Sequence, residues 1–257
     1  MHPVFLQLGP IQIRYYGLMY VVAFVVGYFL VRALARRRGI LRGAEDVLDL
    51  LLVTIPFGIV FGRLYYVFFH WDWYRAAPWE IFMVWLGGLA IHGGLIGGAL
   101  GLLIVARWKR IPFWRLADVV VPAVALGLVF GRIGNFLNGD AFGTPTTLPW
   151  GIVFPSSSPA GATYPGLPLH PAMLYEAIGS LLIFGLLWAT RNRPARAGFF
   201  SSLFFVSYGV VRFACEFFRG DSLMLGSLRA AQVASVLLVL GFGAWLLAGR
   251  LWRQARA

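Results

Sequence analysis

The residues able to do chemistry in this chain are few and grouped. Tyr208, Arg212, Glu216 and Arg219 follow one another at spacings of four, four and three, which places all four on one face of a helix. Upstream, the run Gly131-Arg132-Ile133-Gly134-Asn135-Phe136-Leu137-Asn138-Gly139-Asp140-Ala141-Phe142-Gly143 sets an arginine, two asparagines and an aspartate among glycines. Asn135 and Asn138 fall three and six residues after Arg132, on its side of a helix. The fixed N–H fork of arginine suits phosphate oxygens. Glu216 pairs with one of these arginines, and a positive surplus remains for an anionic ligand. His92, in Ile91-His92-Gly93-Gly94-Leu95-Ile96-Gly97, is the best-placed neutral base; a lone histidine in a glycine-rich helix can equally bond a nearby carbonyl. The one cysteine, Cys215, excludes an internal disulfide and a cysteine-based zinc cluster, and reads as a small buried side chain.

These groups are embedded in apolar sequence. Of the 257 residues 60% are hydrophobic and 12% charged, about half the charge of a soluble domain. A disordered chain, a collagen and an ordinary soluble domain are excluded. The net charge of +12 raises nucleic acid as a partner, but a nucleic-acid binder gathers its basic residues on a soluble face. Here short basic runs separate long apolar stretches, as in a polytopic membrane protein. Seven stretches approach or exceed the roughly 20 residues needed to cross a bilayer: Tyr16 to Val31, Leu48 to Phe69, Ile81 to Ala106, Leu116 to Asn138, Pro171 to Thr190, Ala197 to Phe218 and Ala230 to Gly249. The expected fold class is all-α, a polytopic membrane bundle of seven transmembrane helices. It forms a single transmembrane domain over 1–257 with an outer loop at about 140–170.

Charge sets the expected direction. Arg14 alone precedes the first span, while Arg32, Arg36, Arg37, Arg38 and Arg42 follow it. A signal peptide has the reverse pattern, so the span is retained. Arg107, Lys109, Arg110 and Arg115 follow span three, Arg191, Arg193 and Arg196 follow span five, and Arg250, Arg253 and Arg256 follow span seven. The segments on the other side hold only Arg14, Arg75 and Arg229. Positive residues stay inside, so an N-out, C-in bundle is expected.

Four arginines remain: Arg63, Arg132, Arg212 and Arg219 lie in spans or at their edges. An ionisable group there costs several kcal/mol and marks a polar cavity, unless it snorkels to the headgroups. Snorkelling accounts for one arginine near a helix end more readily than for four, all in the outer half. His92, about ten residues along the third span, is expected near mid-membrane, and Tyr16 opens the first. An internal similarity points the same way: Gly58-Ile59-Val60-Phe61-Gly62-Arg63-Leu64 matches Gly127-Leu128-Val129-Phe130-Gly131-Arg132-Ile133 in order and type.

The run from Gly131 to Gly143 resembles the signature of the prolipoprotein diacylglyceryl transferases. Tyr15-Tyr16-Gly17-Leu18-Met19-Tyr20, the His92 segment, His170-Pro171 with Leu174-Tyr175-Glu176, and Tyr208-Gly209 with Arg212 and Glu216-Phe217-Phe218-Arg219 are similar to other parts of that family, in order along most of the chain. Asp140 stands where the family has Glu. The resemblance implies transfer of the diacylglyceryl group of phosphatidylglycerol to the lipobox cysteine of a preprolipoprotein signal peptide, with release of glycerol 1-phosphate. It implies a bacterial inner-membrane enzyme acting at the outer leaflet among membrane lipids, with no metal or cofactor and no nucleic acid. Arg132 and Arg212 would hold the phosphate, supported by Arg63 or Arg219; His92 would take the thiol proton. Tyr16, Asn135, Asn138 and Asp140 would align the glycerol carbon, with Gly143, Tyr208 and Glu216 also lining the substrate site.

Two readings compete on the residues alone. An organic-anion transporter would also carry intramembrane arginines and broken helices, but polar residues should then reach both faces. An enzyme of polyprenyl phosphates would bring metal-binding acidic clusters, and no DxxD-like cluster appears in the outer half.

Overall fold

The computed structural model describes residues 4–8, 11–41 and 43–253; His2, Arg42 and Arg256 lie outside them. Strands β1 (Val4–Leu8) and β2 (Ile11–Arg14) form an antiparallel hairpin that leads directly into helix α1 (Tyr15–Arg37). Helix α2 (Ala44–Phe69) and a short helix α3 (Trp71–Tyr74) follow, then two 3-10 turns, Pro78–Phe82 and Val84–Leu86. Helices α4 (Ile91–Trp108) and α5 (Phe113–Asn138) come next. Strand β3 (Ile152–Val153), helix α6 (Pro159–Thr163) and strand β4 (Pro168–Leu169) intervene before α7 (Ala172–Thr190) and α8 (Phe199–Glu216). A second small hairpin, β5 (Met224–Leu225) with β6 (Leu228–Arg229), opens α9 (Ala230–Ala248).

Helices α1, α2, α4, α5, α7, α8 and α9 are each long and apolar enough to cross a membrane. The seven expected spans are therefore present, and the fold is all-α in its architecture. The third begins later than expected. Residues 81–90 are not the start of a helix: the chain passes through the 3-10 turns, and Gly87 and Gly88 take φ of +93° and +72°. Those angles suit glycine and end helical continuity. His92 consequently lies in the first turn of α4, not ten residues into a span.

Two compact units divide the chain, one of residues 31–117 and one of residues 1–30 with 118–257. In the first, α2 and α4 pack along a stripe of Gly93, Gly97 and Gly101. A Cβ on the first two would strike the Phe61 and Phe57 carbonyls, and one on the third would meet Thr54 Cα at 2.9 Å. Small residues let membrane helices approach this closely. At the far end of the pair, Lys109 Nζ lies 2.6 Å from both Asp46 Oδ1 and Asp49 Oδ2. Hydrogen bonds to these carboxylates raise the lysine pKa.

In the second unit, Val121 and Ala125 of α5, Ile183 and Leu187 of α7, and Phe199, Phe200 and Phe204 of α8 form one buried cluster. The buried Asp118 of α5 accepts from Gly198 N and Ser201 N, both at 2.8 Å, and from Ser201 Oγ at 2.7 Å. It satisfies amides that the start of α8 would otherwise leave unpaired and so ties α8 to α5. The segment expected as a loop at about 140–170 packs a small core of Ala141, Phe142, Phe154, Ala160 and Leu169 against Met173 of α7.

Candidate active site

The densest polar assembly is built around a residue to which the sequence reading assigned no role. Glu176, in the second turn of α7, is 3% exposed. Its Oε2 stands 2.5 Å from Arg132 Nη2 of α5. Its Oε1 receives Arg212 Nη1 of α8 and Arg219 Nη1, each at 2.9 Å. Three of the four expected arginines thus meet on one carboxylate. Two further carboxylates complete the group: Glu216 Oε2 lies 2.9 Å from Arg212 Nη2, and Asp221 grips Arg219 Nε and Nη2 in a fork at 2.8 Å each. Three guanidiniums therefore face three carboxylates, and the expected positive surplus is absent.

Arg219 reaches this place by another route than expected. Helix α8 ends at Glu216, so Arg219 lies beyond it and not on its face. The chain there is laced to the segment after α5: Gly143 pairs with Arg219 in a bridge, Gly220 N donates to Phe142 O at 3.1 Å, and Thr144 N donates to Phe218 O at 2.9 Å. Gly143 has no room for a side chain, because a Cβ would run into the His170 carbonyl. Its contribution is this close backbone approach. Burial alone would lower the Arg219 pKa; Glu176 and Asp221 outweigh it and hold the pKa above its ordinary value.

The Gly131–Gly143 run folds back on itself. Gly139 leaves α5 at φ +71°, and its amide donates to Asn135 O at 2.8 Å, a glycine helix end. The turn returns the Asp140 carboxylate to the helix, where it accepts from Asn135 Nδ2 at 2.6 Å and Asn138 Nδ2 at 2.7 Å. Asn135 Oδ1 in turn accepts from Arg132 Nη1 at 3.1 Å. Asp140 thereby sets the orientation of both amides and, through Asn135, of Arg132. Tyr16 belongs to the same surroundings: its ring packs where a Cβ of Gly134 would stand, and its hydroxyl is 2.9 Å from that of Tyr20. Tyr208 stacks on Phe204 and lies within electrostatic reach of Arg132, Glu176, Arg212 and Arg219. Cys215 is a buried free thiol.

Arg63, in the unit of residues 31–117, has a different use from the one expected. Its Nε donates to Ile81 O at 2.8 Å, its Nη1 to Gly87 O at 2.6 Å and Gly88 O at 3.1 Å, and its Nη2 to the Glu80 and Met83 carbonyls. A guanidinium has five N–H groups, and five carbonyls take them. The side chain is 5% exposed with the Tyr74 ring 5.0 Å away. All five of its N–H groups are thus taken by its own main chain. In the same unit the exposed His92 ring stacks on Tyr65 at 5.7 Å. His170 is a packing residue, with Nδ1 3.1 Å from the Tyr175 hydroxyl and its ring against Phe218. His70 bonds Tyr66 O at 2.9 Å.

A family model described as prolipoprotein diacylglyceryl transferase matches residues 3–248. Among similar proteins, one from Synechococcus elongatus is 42% identical over 243 residues, covering 92% of this chain and 83% of its own length. One from Fusobacterium nucleatum is 39% identical over 275 residues (93% and 95%), and one from Bordetella parapertussis 41% over 261 residues (96% and 95%). Each of the three is named phosphatidylglycerol–prolipoprotein diacylglyceryl transferase. With seven membrane-length helices and a match over nearly its whole length, this multi-pass membrane protein belongs to the prolipoprotein diacylglyceryl transferase family.

Proposed function

We propose that this chain transfers the diacylglyceryl group of phosphatidylglycerol to the lipobox cysteine of prolipoproteins. The observation that carries the reading is the meeting of Arg132, Arg212 and Arg219 on Glu176, in a member of this family. Relatives named for this transfer favour it over anion transport and over polyprenyl phosphate chemistry.

The cysteine thiol loses its proton to His92, and the thiolate attacks the glycerol carbon that bears the phosphate. The sulfur–carbon bond forms as the carbon–oxygen bond breaks, and glycerol 1-phosphate departs with the electron pair. Arg132 and Arg212 stabilise the charge that grows on the leaving phosphate. Each spends only two N–H groups on the contacts described above, whereas Arg219 is committed to Asp221 and Glu176. Tyr16, Asn135, Asn138 and Asp140 orient the glycerol, with Gly143, Tyr208 and Glu216 shaping the surroundings. The acyl chains extend into lipid-facing gaps between helices.

The basic runs favour an N-out, C-in arrangement in the bacterial inner membrane with the site open to the outer leaflet. The test is mass spectrometry of a lipobox peptide after incubation with the purified protein and phosphatidylglycerol vesicles. The expected result is a mass gain of one diacylglyceryl unit on the cysteine; an unmodified peptide in the presence of folded protein refutes the reading.

A further inference from the structure

Three guanidiniums with their charged nitrogens within 3 Å of one carboxylate are an unusual concentration of like charge. At such separations, in a setting of low dielectric, their mutual repulsion is large unless an anion stands among them. Glu176 is that anion, and it is the one charged residue of its apolar helix. It divides its oxygens unevenly: Oε2 faces Arg132 of α5, and Oε1 faces both Arg212 of α8 and Arg219 just past it. A single side chain of α7 therefore ties the arginines of two other segments into one fixed arrangement. Arg219 is held by the Asp221 fork as well, so it anchors Glu176 on one side. Arg132 and Arg212 are about one-sixth exposed along their side chains, against 9% for Arg219. They are the open side of the group.

We propose that Glu176 is a positioning residue that holds Arg132 and Arg212 in the relative orientation at which a phosphodiester headgroup is received, while balancing their charge so that the product phosphate can leave. It acts through the arginines and touches no reacting atom. The inference rests on the transferase reading. Removing its charge has two consequences. The arginine pair loses its fixed geometry, which weakens stabilisation of the departing phosphate. The surroundings also gain one net positive charge, which favours anions in the ground state. Turnover should fall while lipid affinity does not, a split that general loss of packing would not produce.

The test is the diacylglyceryl transfer assay on purified, folded protein with phosphatidylglycerol varied. Glu176→Gln should lower kcat at least tenfold, with KM for phosphatidylglycerol unchanged or reduced, and inhibition by added glycerol 1-phosphate should strengthen several-fold. Glu176→Gln combined with Arg219→Gln removes one charge of each sign and should recover part of the lost kcat, so the double-mutant cycle is non-additive. A rise in KM with kcat unchanged, or an additive cycle, overturns the proposal. Should Glu176→Gln not fold, Glu176→Asp decides: its carboxylate is one methylene too short to reach all three guanidiniums, and wild-type kcat in that variant overturns the proposal. Wild-type protein in the same assay separates the two levels. No transfer by the wild type refutes the function; transfer with an additive cycle refutes only the role of Glu176.

Discussion

Arg63 and Arg132 end the same local sequence, glycine, three apolar residues and glycine, yet each is used differently. Arg63 gives its donors to five main-chain carbonyls between Glu80 and Gly88. Arg132 gives its donors to the Glu176 carboxylate and the Asn135 amide oxygen. A backbone carbonyl is a fixed, neutral acceptor, so Arg63 is bound into the scaffold and organises the turns before α4. A carboxylate is an anion that a phosphate can resemble, so Arg132 stands among partners a lipid headgroup can compete with. The motif delivers a guanidinium to the end of an apolar helix; the chain that folds over it decides whether neutral carbonyls or a carboxylate receive it.

The contrast is broken first by deletion at the carboxylate-bound position, Arg132. Arg132→Ala should cut transfer by about 10³-fold, the scale of losing a principal charge-stabilising donor, while the protein still inserts and unfolds at a near-normal temperature. Transfer within threefold of wild type in the reconstituted assay would place Arg132 with Arg63 as scaffold.

His92 sharpens the comparison, because it shares a unit with Arg63 but is exposed and stacked on Tyr65. His92→Gln should slow thioether formation about 10²-fold, the lower end of general-base contributions. Phosphatidylglycerol binding, followed by retention on lipid-loaded nanodiscs, should change little. Equal loss of both would make the histidine a structural residue.

The smallest effect on turnover belongs to Arg63. Arg63→Ala leaves several carbonyls of residues 80–88 without their donor, at about 1–3 kcal/mol for a buried unsatisfied group. Thermal unfolding in detergent should occur several degrees lower, and proteolysis should concentrate at residues 75–90. Turnover by the protein that remains folded should stay within about tenfold of wild type. A loss matching that of Arg132→Ala at unchanged stability would return Arg63 to the phosphate site.

Apolar length carried most of the architecture. A span that must bury every backbone polar group in lipid can only be a helix, so α2, α5, α7, α8 and α9 follow from composition to within four residues, while α1 runs six residues past the expected Val31 to Arg37. The third span is present, but it starts ten residues late for a local reason. Residues 81–90 are apolar enough for a helix, but Gly87 and Gly88 turn the backbone to positive φ, and hydropathy is blind to that. Spacing likewise put Arg219 on the face of α8 because periodicity cannot see a helix stop at Glu216. Glu176 was legible as the one charged residue of its span, a signal of function in itself, but its own helix carries none of the arginines it meets, so spacing along that helix could not pair it.

The sequence by itself determined that seven apolar helices form and that the arginines in them require partners, because hydrocarbon tolerates neither a bare peptide group nor a bare charge. Only the tertiary structure decided which partner each arginine takes. Glu176 lies 44 residues from Arg132, 36 from Arg212 and 43 from Arg219 in the chain, and Coulombic and hydrogen-bond energies depend on distance in space, which packing alone sets.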